Sequence, residues 1–292
     1  EEQFLLAKAL RSWGVVNIDS EAAFGRRAFA AGVAATLGIA EPDGLWSDIA
    51  NTGCLLTLGA DVATSQPLSL RWIERARDAG ALWIAVDPLR SASAEMADIH
   101  VPIRPGTDAA LLLTWTRWIL ENEKYDAEFC RTWTNMPYLI NPETRLTLKA
   151  TEAGLPGTDA DYVVWDPEKN APVVVEFPMN EGLSPALFGT YEVNGMQCAT
   201  GGQLLKESCE EWTLEKGAEI CWLDPEQIER ALEIYTDPNG QSGIMQGVCI
   251  DQYVQSQQCA LGALNLEFLM GNVEKPGTML QKFAPAPCKD QL

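Results

Sequence analysis

The sequence predicts an α/β fold: a doubly wound, mostly parallel, Rossmann-like sheet with an irregular β-containing insertion and additional helices. Three observations lead there. Short apolar runs alternate with amphipathic helical stretches over residues 1–134, the order that builds parallel crossovers. The first two apolar strand-like runs stop at Gly59 and Asp87, residue types that turn a strand toward a helix. Between residues 135 and 202 the texture becomes rich in Pro, Gly, Asn and Asp, and helical patterning resumes over residues 203–292.

Taken in order, residues 4–13 place apolar side chains on one helical face, and residues 28–37 form an Ala-rich helix that Gly38 stops. Residues 54–58 are a buried strand ending in Gly59. An amphipathic helix over residues 67–79 follows, closed by Gly80. Residues 81–86 are a second buried strand, ending at Asp87-Pro88, and strand, helix, strand in that order makes a right-handed parallel crossover. A third strand is expected over residues 99–103, then the turn from Arg104 to Asp108, then helices over 109–120 and 126–133. The insertion shows short alternating stretches at 162–165 and 173–177. Beyond it, Asp224-Pro225 caps a helix over 226–235, residues 243–250 read as an apolar strand, and residues 253–270 read as a long helix that Gly271-Asn272 ends.

Composition removes several classes of function. A formal net charge of −20, from 41 acidic and 21 basic side chains, repels a phosphate backbone, so nucleic acid is not an expected partner. No run approaches the roughly 20 apolar residues of a membrane-spanning helix. The eight cysteines include no Cys-x-x-Cys pair, so an iron–sulfur or zinc cluster held within this chain is not expected. Most of them, Cys54 and Cys249 among them, sit in apolar runs where a thiol acts as a small buried hydrophobe. The single histidine, His100, lies in a strand and reads as structural. The ten tryptophans, such as Trp115 and Trp118, read as core rather than as stacking platforms.

The candidate binding residues lie at strand ends. Gly59-Ala60-Asp61, with Ser65 farther along, precedes a helix whose free amides would bind a phosphate, although any strand-to-helix turn needs small residues. Asp87 stands where an acidic residue accepts hydrogen bonds from ribose hydroxyls, and it equally suits an N-cap. Gly106, Thr107 and Asp108 offer another N-cap, or a carboxylate for the N–H groups of a guanine edge. Gln246-Gly247 leads into Asp251-Gln252, whose amides would read a base or pterin ring, while Gln255, Gln257 and Gln258 read as a solvated helix face.

In their chained order, Leu55 to Asp61, Ala85 to Ser91, Ala97 to His100, Ile103 to Leu111 and Met270 to Gly277 resemble the dimethyl sulfoxide reductase family of bis-molybdopterin-guanine-dinucleotide enzymes. Gln246-Gly247 with Asp251-Gln252 looks most like the branch holding acetylene hydratase, pyrogallol transhydroxylase and catechol dehydroxylases. The resemblance spans most of the chain and is weakest over residues 140–200. It implies that Gly59, Ala60, Asp61 and Ser65 approach a cofactor phosphate, with Ala-Asp in place of the commoner small residue and Asn. By the same carry-over Asp87, Pro88 and Leu89 surround a guanosine, Gly106, Thr107 and Asp108 hold the guanine, and Gln246, Gly247 and Gln252 touch the cofactor nearer the metal. The implied cofactor is bis-MGD with molybdenum or tungsten. Relatives place an iron–sulfur cluster in an N-terminal region and a second cofactor-binding domain at the other end, so this chain reads as an internal fragment of a larger catalytic polypeptide. Its implied partners are a small-molecule substrate and an iron–sulfur electron-transfer subunit.

One departure bears on the metal. Many relatives carry a Cys, selenocysteine or Ser ligand at the position that falls here on Gly25, which has no side chain to ligate with. Three alternatives stay open: a metal held by pterin sulfurs with oxygen or water, a shifted register that brings Ser20 or Glu21 to the metal, or a protein that is not a redox enzyme. Arg26 and Arg27, beside that position, are candidates for an anionic or oxygenated substrate, and equally for a basic turn at a helix start. A non-catalytic scaffold that keeps the fold without a metal centre, and a nicotinamide or flavin enzyme on a similar sheet, are the rival readings.

Overall fold

A computed structural model of the chain describes residues 2–18, 27–38, 45–176, 182–238 and 240–278. The chain opens with helices α1 (Glu2–Ser12) and α2 (Arg27–Leu37). Strand β1 (Thr52–Leu58) is buried at all seven positions, as expected of a parallel strand covered on both faces. Two short pieces follow, α3 (Val62–Ser65) and a 3₁₀ turn over Pro67–Ser69, before the amphipathic α4 (Leu70–Asp78), which buries Ile73 and Ala76. Gly80, at φ +100°, ends that helix and releases the chain into β2 (Leu82–Val86). Helix α5 (Ala92–Met96), capped by Ser91, comes next, then β3 (Ile99–Val101). The third strand therefore stops two residues before its predicted end, at Pro102, which has no N–H to give a ladder.

Helix α6 (Asp108–Glu121) and helix α7 (Ala127–Trp133), the latter capped by the Asp126 carboxylate, match their predicted positions. The insertion folds as two antiparallel hairpins, β4 (Tyr162–Asp166) with β5 (Ala171–Val175), and β6 (Thr190–Val193) with β7 (Met196–Ala199). Asn194 and Gly195, at φ +51° and +77°, make the two-residue turn of the second hairpin. Trp165 stacks on Tyr191 with centroids 4.4 Å apart, tying the hairpins to one another. Helices α8 (Gly201–Ser208), α9 (Leu214–Cys221) and α10 (Pro225–Thr236) follow, each with a Thr or Asp N-cap.

The chain then returns to the sheet with β8 (Gln241–Gln246) and ends its described part with α11 (Ser256–Leu269). The predicted strand over 243–250 is corrected here. It ends at Gln246, and Val248–Ile250 is a 3₁₀ turn. The Gly247 N–H gives the last bond to the Leu58 carbonyl at 2.8 Å, and a Cβ on Gly247 would lie 1.8 Å from the Gly59 carbonyl oxygen, so the backbones meet and part at this point.

Among the described residues the structure forms two compact units. The first draws on Glu1–Pro102, Asn239–Leu264 and Pro276–Leu292, and the second on Ile103–Pro238 and Asn265–Lys275. The first unit holds a four-stranded sheet in the order β3-β2-β1-β8, parallel throughout. One of its apolar cores gathers Ile49, Leu55, Val62, Ile73, Trp83 and Met245. The second unit holds the hairpins, with a core built on Leu139, Leu148, Val163 and Cys198, and helices α6 to α10. No described helix is long and apolar enough to cross a membrane.

Candidate cofactor site

The strand order reverses beside β1, since β2 and β3 extend the sheet to one side while β8 adds to the other. Ligands of open parallel sheets bind outside the carboxyl ends of the strands at such a switch point. The loops after β1, β2 and β8 all leave from that edge of the first unit. They carry Gly59 to Ser65, Asp87 to Leu89, and Gln246 to Gln252.

Gly59 leaves β1 at φ +56°, a conformation open to a residue without Cβ. Its position is closed on one side, because an added Cβ would meet the Cys249 sulfur at 2.3 Å. Asp61 turns its carboxylate inward: Oδ1 accepts from the Ser93 N–H at 3.0 Å and from the Ser93 hydroxyl at 2.8 Å. The Ser93 Oγ in turn accepts from the Ala63 N–H at 2.9 Å. Burial opposes ionisation of Asp61, but hydrogen bonds from Thr64 and Ser93 outweigh it and hold the carboxyl below its ordinary value. Asp61 thus latches the β1 loop to α5, a partnership with a residue 32 positions away that strand-end patterns do not reveal. Ser65 is exposed, and its hydroxyl donates to the Asp61 carbonyl at 2.7 Å.

Asp87 accepts from the Leu89 N–H at 2.8 Å, a local Asx turn, and His100 contacts the Asp87 carbonyl at 2.8 Å, which gives that histidine the structural place expected of it. Pro88 and Leu89 are exposed, Leu89 at 74%. At the end of β8, Gln246 is buried, with 7% of its surface exposed, and neither its amide nitrogen nor its amide oxygen has a hydrogen-bond partner among the described residues. Gln252 is exposed. Cys249 corrects the expectation of burial: it is exposed, with its thiol 2.9 Å from the Gly59 carbonyl, because the chain has already left the sheet there. The other described cysteines are buried, and burial pushes the Cys54 and Cys130 thiols up to about 12.

Gly106, Thr107 and Asp108 belong to the second unit. Gly106, at φ +80°, is exposed, the Thr107 hydroxyl donates to the Arg104 carbonyl at 2.8 Å, and Asp108 is buried in the first turn of α6. The candidates Ser20, Glu21, Gly25 and Arg26 lie outside the described residues, and Arg27 opens α2. Among the described residues no group of three or more His, Cys, Asp or Glu side chains is placed to hold a metal ion.

The family model described as molybdopterin oxidoreductase matches residues 1–286. The chain belongs to the molybdopterin oxidoreductase family. The alpha chain of formate dehydrogenase 2 (cytochrome c-553) from Nitratidesulfovibrio vulgaris is 26% identical over 281 residues, which is 95% of this chain and 26% of that protein. A sulfite dehydrogenase chain of Allochromatium vinosum is 29% identical over 237 residues, 78% of this chain and 24% of that protein. Among solved structures, acetylene hydratase from Pelobacter acetylenicus superposes with a TM-score of 0.52 at 23% identity, covering 76% of this chain and 22% of that one, a likeness that carries the fold. This molybdopterin oxidoreductase chain spans about a quarter of the length of these curated relatives. Its α/β fold, with a parallel four-stranded sheet, is the one the sequence predicts.

Proposed function

We propose that the chain supplies part of the pocket for a bis-MGD cofactor, in a molybdenum or tungsten enzyme acting on a small oxygenated or unsaturated substrate. The reaction class is oxygen-atom transfer, dehydroxylation or hydration, and redox members of that class would use an iron–sulfur electron-transfer partner. The single observation that carries the reading is the Gln246 amide, buried at the switch point and without a partner among the described residues. A buried amide left unpaired costs about 1–3 kcal/mol. A pterin presents both donors and acceptors at its edge, and an amide that donates and accepts suits it.

In this reading the backbone of Gly59 and Ala60 approaches a phosphate, Asp61 shapes that loop through Ser93, and Asp87 with Pro88 and Leu89 flanks a guanosine. Gln252 and Gly247 line the edge beside Gln246. When bound, the group supplies the metal and dithiolene sulfurs that perform the chemistry, and the protein positions them.

The test is elemental analysis of the protein purified as the cell makes it, together with oxidised-pterin fluorescence and guanine nucleotide released on denaturation. Molybdenum or tungsten with both organic signals is the expected result. A preparation with no metal, or one releasing nicotinamide or flavin, would overturn the reading. Gln246→Ala should weaken cofactor binding about tenfold, the equivalent of one lost hydrogen-bonding group.

A further inference from the structure

Among the described residues, strand β5 is paired on one side only. Its partner β4 meets it in the register Tyr162 with Val175, Val163 with Val174, Val164 with Val173 and Trp165 with Pro172. The backbone of Val163 faces away from β5, since its N–H donates to the Leu148 carbonyl at 3.2 Å and its carbonyl accepts from the Leu139 N–H at 2.9 Å. The Trp165 carbonyl likewise accepts from the Ala186 N–H at 2.9 Å. Backbone groups alternate sides along an antiparallel strand, so Tyr162 and Val164 bond β5, and their partners Val175 and Val173 bond β4. Pro172 and Val174 therefore turn their backbone groups outward, and Glu176, next in the alternation, follows them. No described residue hydrogen-bonds those outward groups. The strand is only partly buried up to Val174, and Glu176 is exposed. Such an edge is a template for a further strand.

The outward groups also select the strand that fits. Pro172 offers a carbonyl and no N–H, Val174 offers both, and Glu176 offers an N–H at the far end. An antiparallel copy of β5 with its two-fold axis at Val174 sets each Val174 against its own copy and each Pro172 against a Glu176. Both Val174 N–H groups then find a carbonyl, and each Glu176 N–H reaches a Pro172 carbonyl, opposite the one position that cannot donate. Val173 faces Val175 of the second copy, an apolar β-branched pair. No other outward residue can sit on the axis. Pro172 has no donor for its copy, and Glu176 would bring two carboxylates directly opposite each other, a destabilising pair. One patch meeting itself about a two-fold axis is the commonest way that identical chains associate.

We infer that β5 is a self-association edge through which two copies of the chain join into a continuous antiparallel sheet, β4-β5-β5-β4. The inference uses only the first hairpin of the second unit and does not rest on the cofactor reading.

The experiment is sedimentation equilibrium of the full chain over about 1 to 100 μM, in wild type, Val174→Pro and Val174→Thr. Wild type should pass from monomer to dimer across that range. Val174→Pro removes a donor that β4 does not use, so the fold should persist while the dimer dissociation constant rises about thirtyfold, one hydrogen bond being lost on each side of the axis. Val174→Thr keeps the N–H and a β-branched side chain, and should dimerise as wild type does. Hydrogen exchange on wild type gives a second reading. The Val174 and Glu176 amides should slow as the protein is concentrated, while the Val173 and Val175 amides, bonded to β4, stay as they are. A wild type that is monomeric throughout, a Val174→Pro protein that dimerises equally well, or Val174 exchange independent of concentration overturns the inference.

Discussion

Gly247 has no space for a methyl group, since its Cβ would come 1.8 Å from the Gly59 carbonyl and 2.9 Å from the Ala60 Cα. Backbone, not a movable side chain, is what it would strike. Gly247→Ala should therefore cost about 3 kcal/mol, read as a shift in urea midpoint; a loss below about 0.5 kcal/mol would show that the β1 and β8 loops part freely. Asp61 is tested by pH. Its folded carboxyl titrates below the ordinary value of 3.8, so the hydrogen-bonded anion stabilises the fold above that pH, and the contribution fades as pH falls through the lower folded value. Asp61→Ala should show a flatter stability profile across that acid range than wild type does. Residues of this kind are partly legible. Gly59, Asp61 and Gln246 stand out as small or polar groups at the ends of apolar runs, but Ser93 does not, because its value comes from a contact 32 residues away. Trp222 is hidden for another reason: composition puts tryptophan in cores, where Trp83, Trp115 and Trp118 do lie, and only the structure reveals that this one is 71% exposed at a φ of 60° suited to Gly.

Helix α9 packs on α6 through Gly217, where a Cβ would meet the Thr114 hydroxyl oxygen at 2.2 Å and its methyl at 2.8 Å. Gly217→Ala should separate the two helices at a cost of about 2 kcal/mol, visible as faster amide exchange in α6. An unchanged exchange pattern would mean that Thr114 yields by rotating. At this level β1 and β2 are readable because strands largely covered on both faces read as near-continuous apolar runs. Helices α3 and α5, of four and five residues, are too short to show a helical period. The β6–β7 hairpin carries the Asn194-Gly195 turn signal, but its four-residue strands are partly exposed and their alternation is weak. The end of β8 escapes the sequence pattern because Val248, Cys249 and Ile250 continue the apolar run after the backbone has left the sheet.

The net charge of −20 acts on the whole chain. Self-repulsion of that size is relieved by screening, so the thermal midpoint should rise between about 10 and 150 mM NaCl, as the Debye length falls from roughly 30 to 8 Å. A falling midpoint would mean that specific ion pairs outweigh the net repulsion. The fold class is legible because the periodicities of single elements suffice for it. Membership of the two units is not, since it follows from pairings such as Thr52 with Gln241, which no local pattern announces. That pairing also has a consequence during synthesis. Strand β1 leaves the ribosome long before β8 exists, and residues 103–238 must be translated in between. Throughout that interval the nascent polypeptide shows an unpaired, mostly apolar strand edge, the surface most prone to stray association. A chain released before Gln241 should therefore depend on chaperones, whereas one released just past Gln246 can close its own sheet.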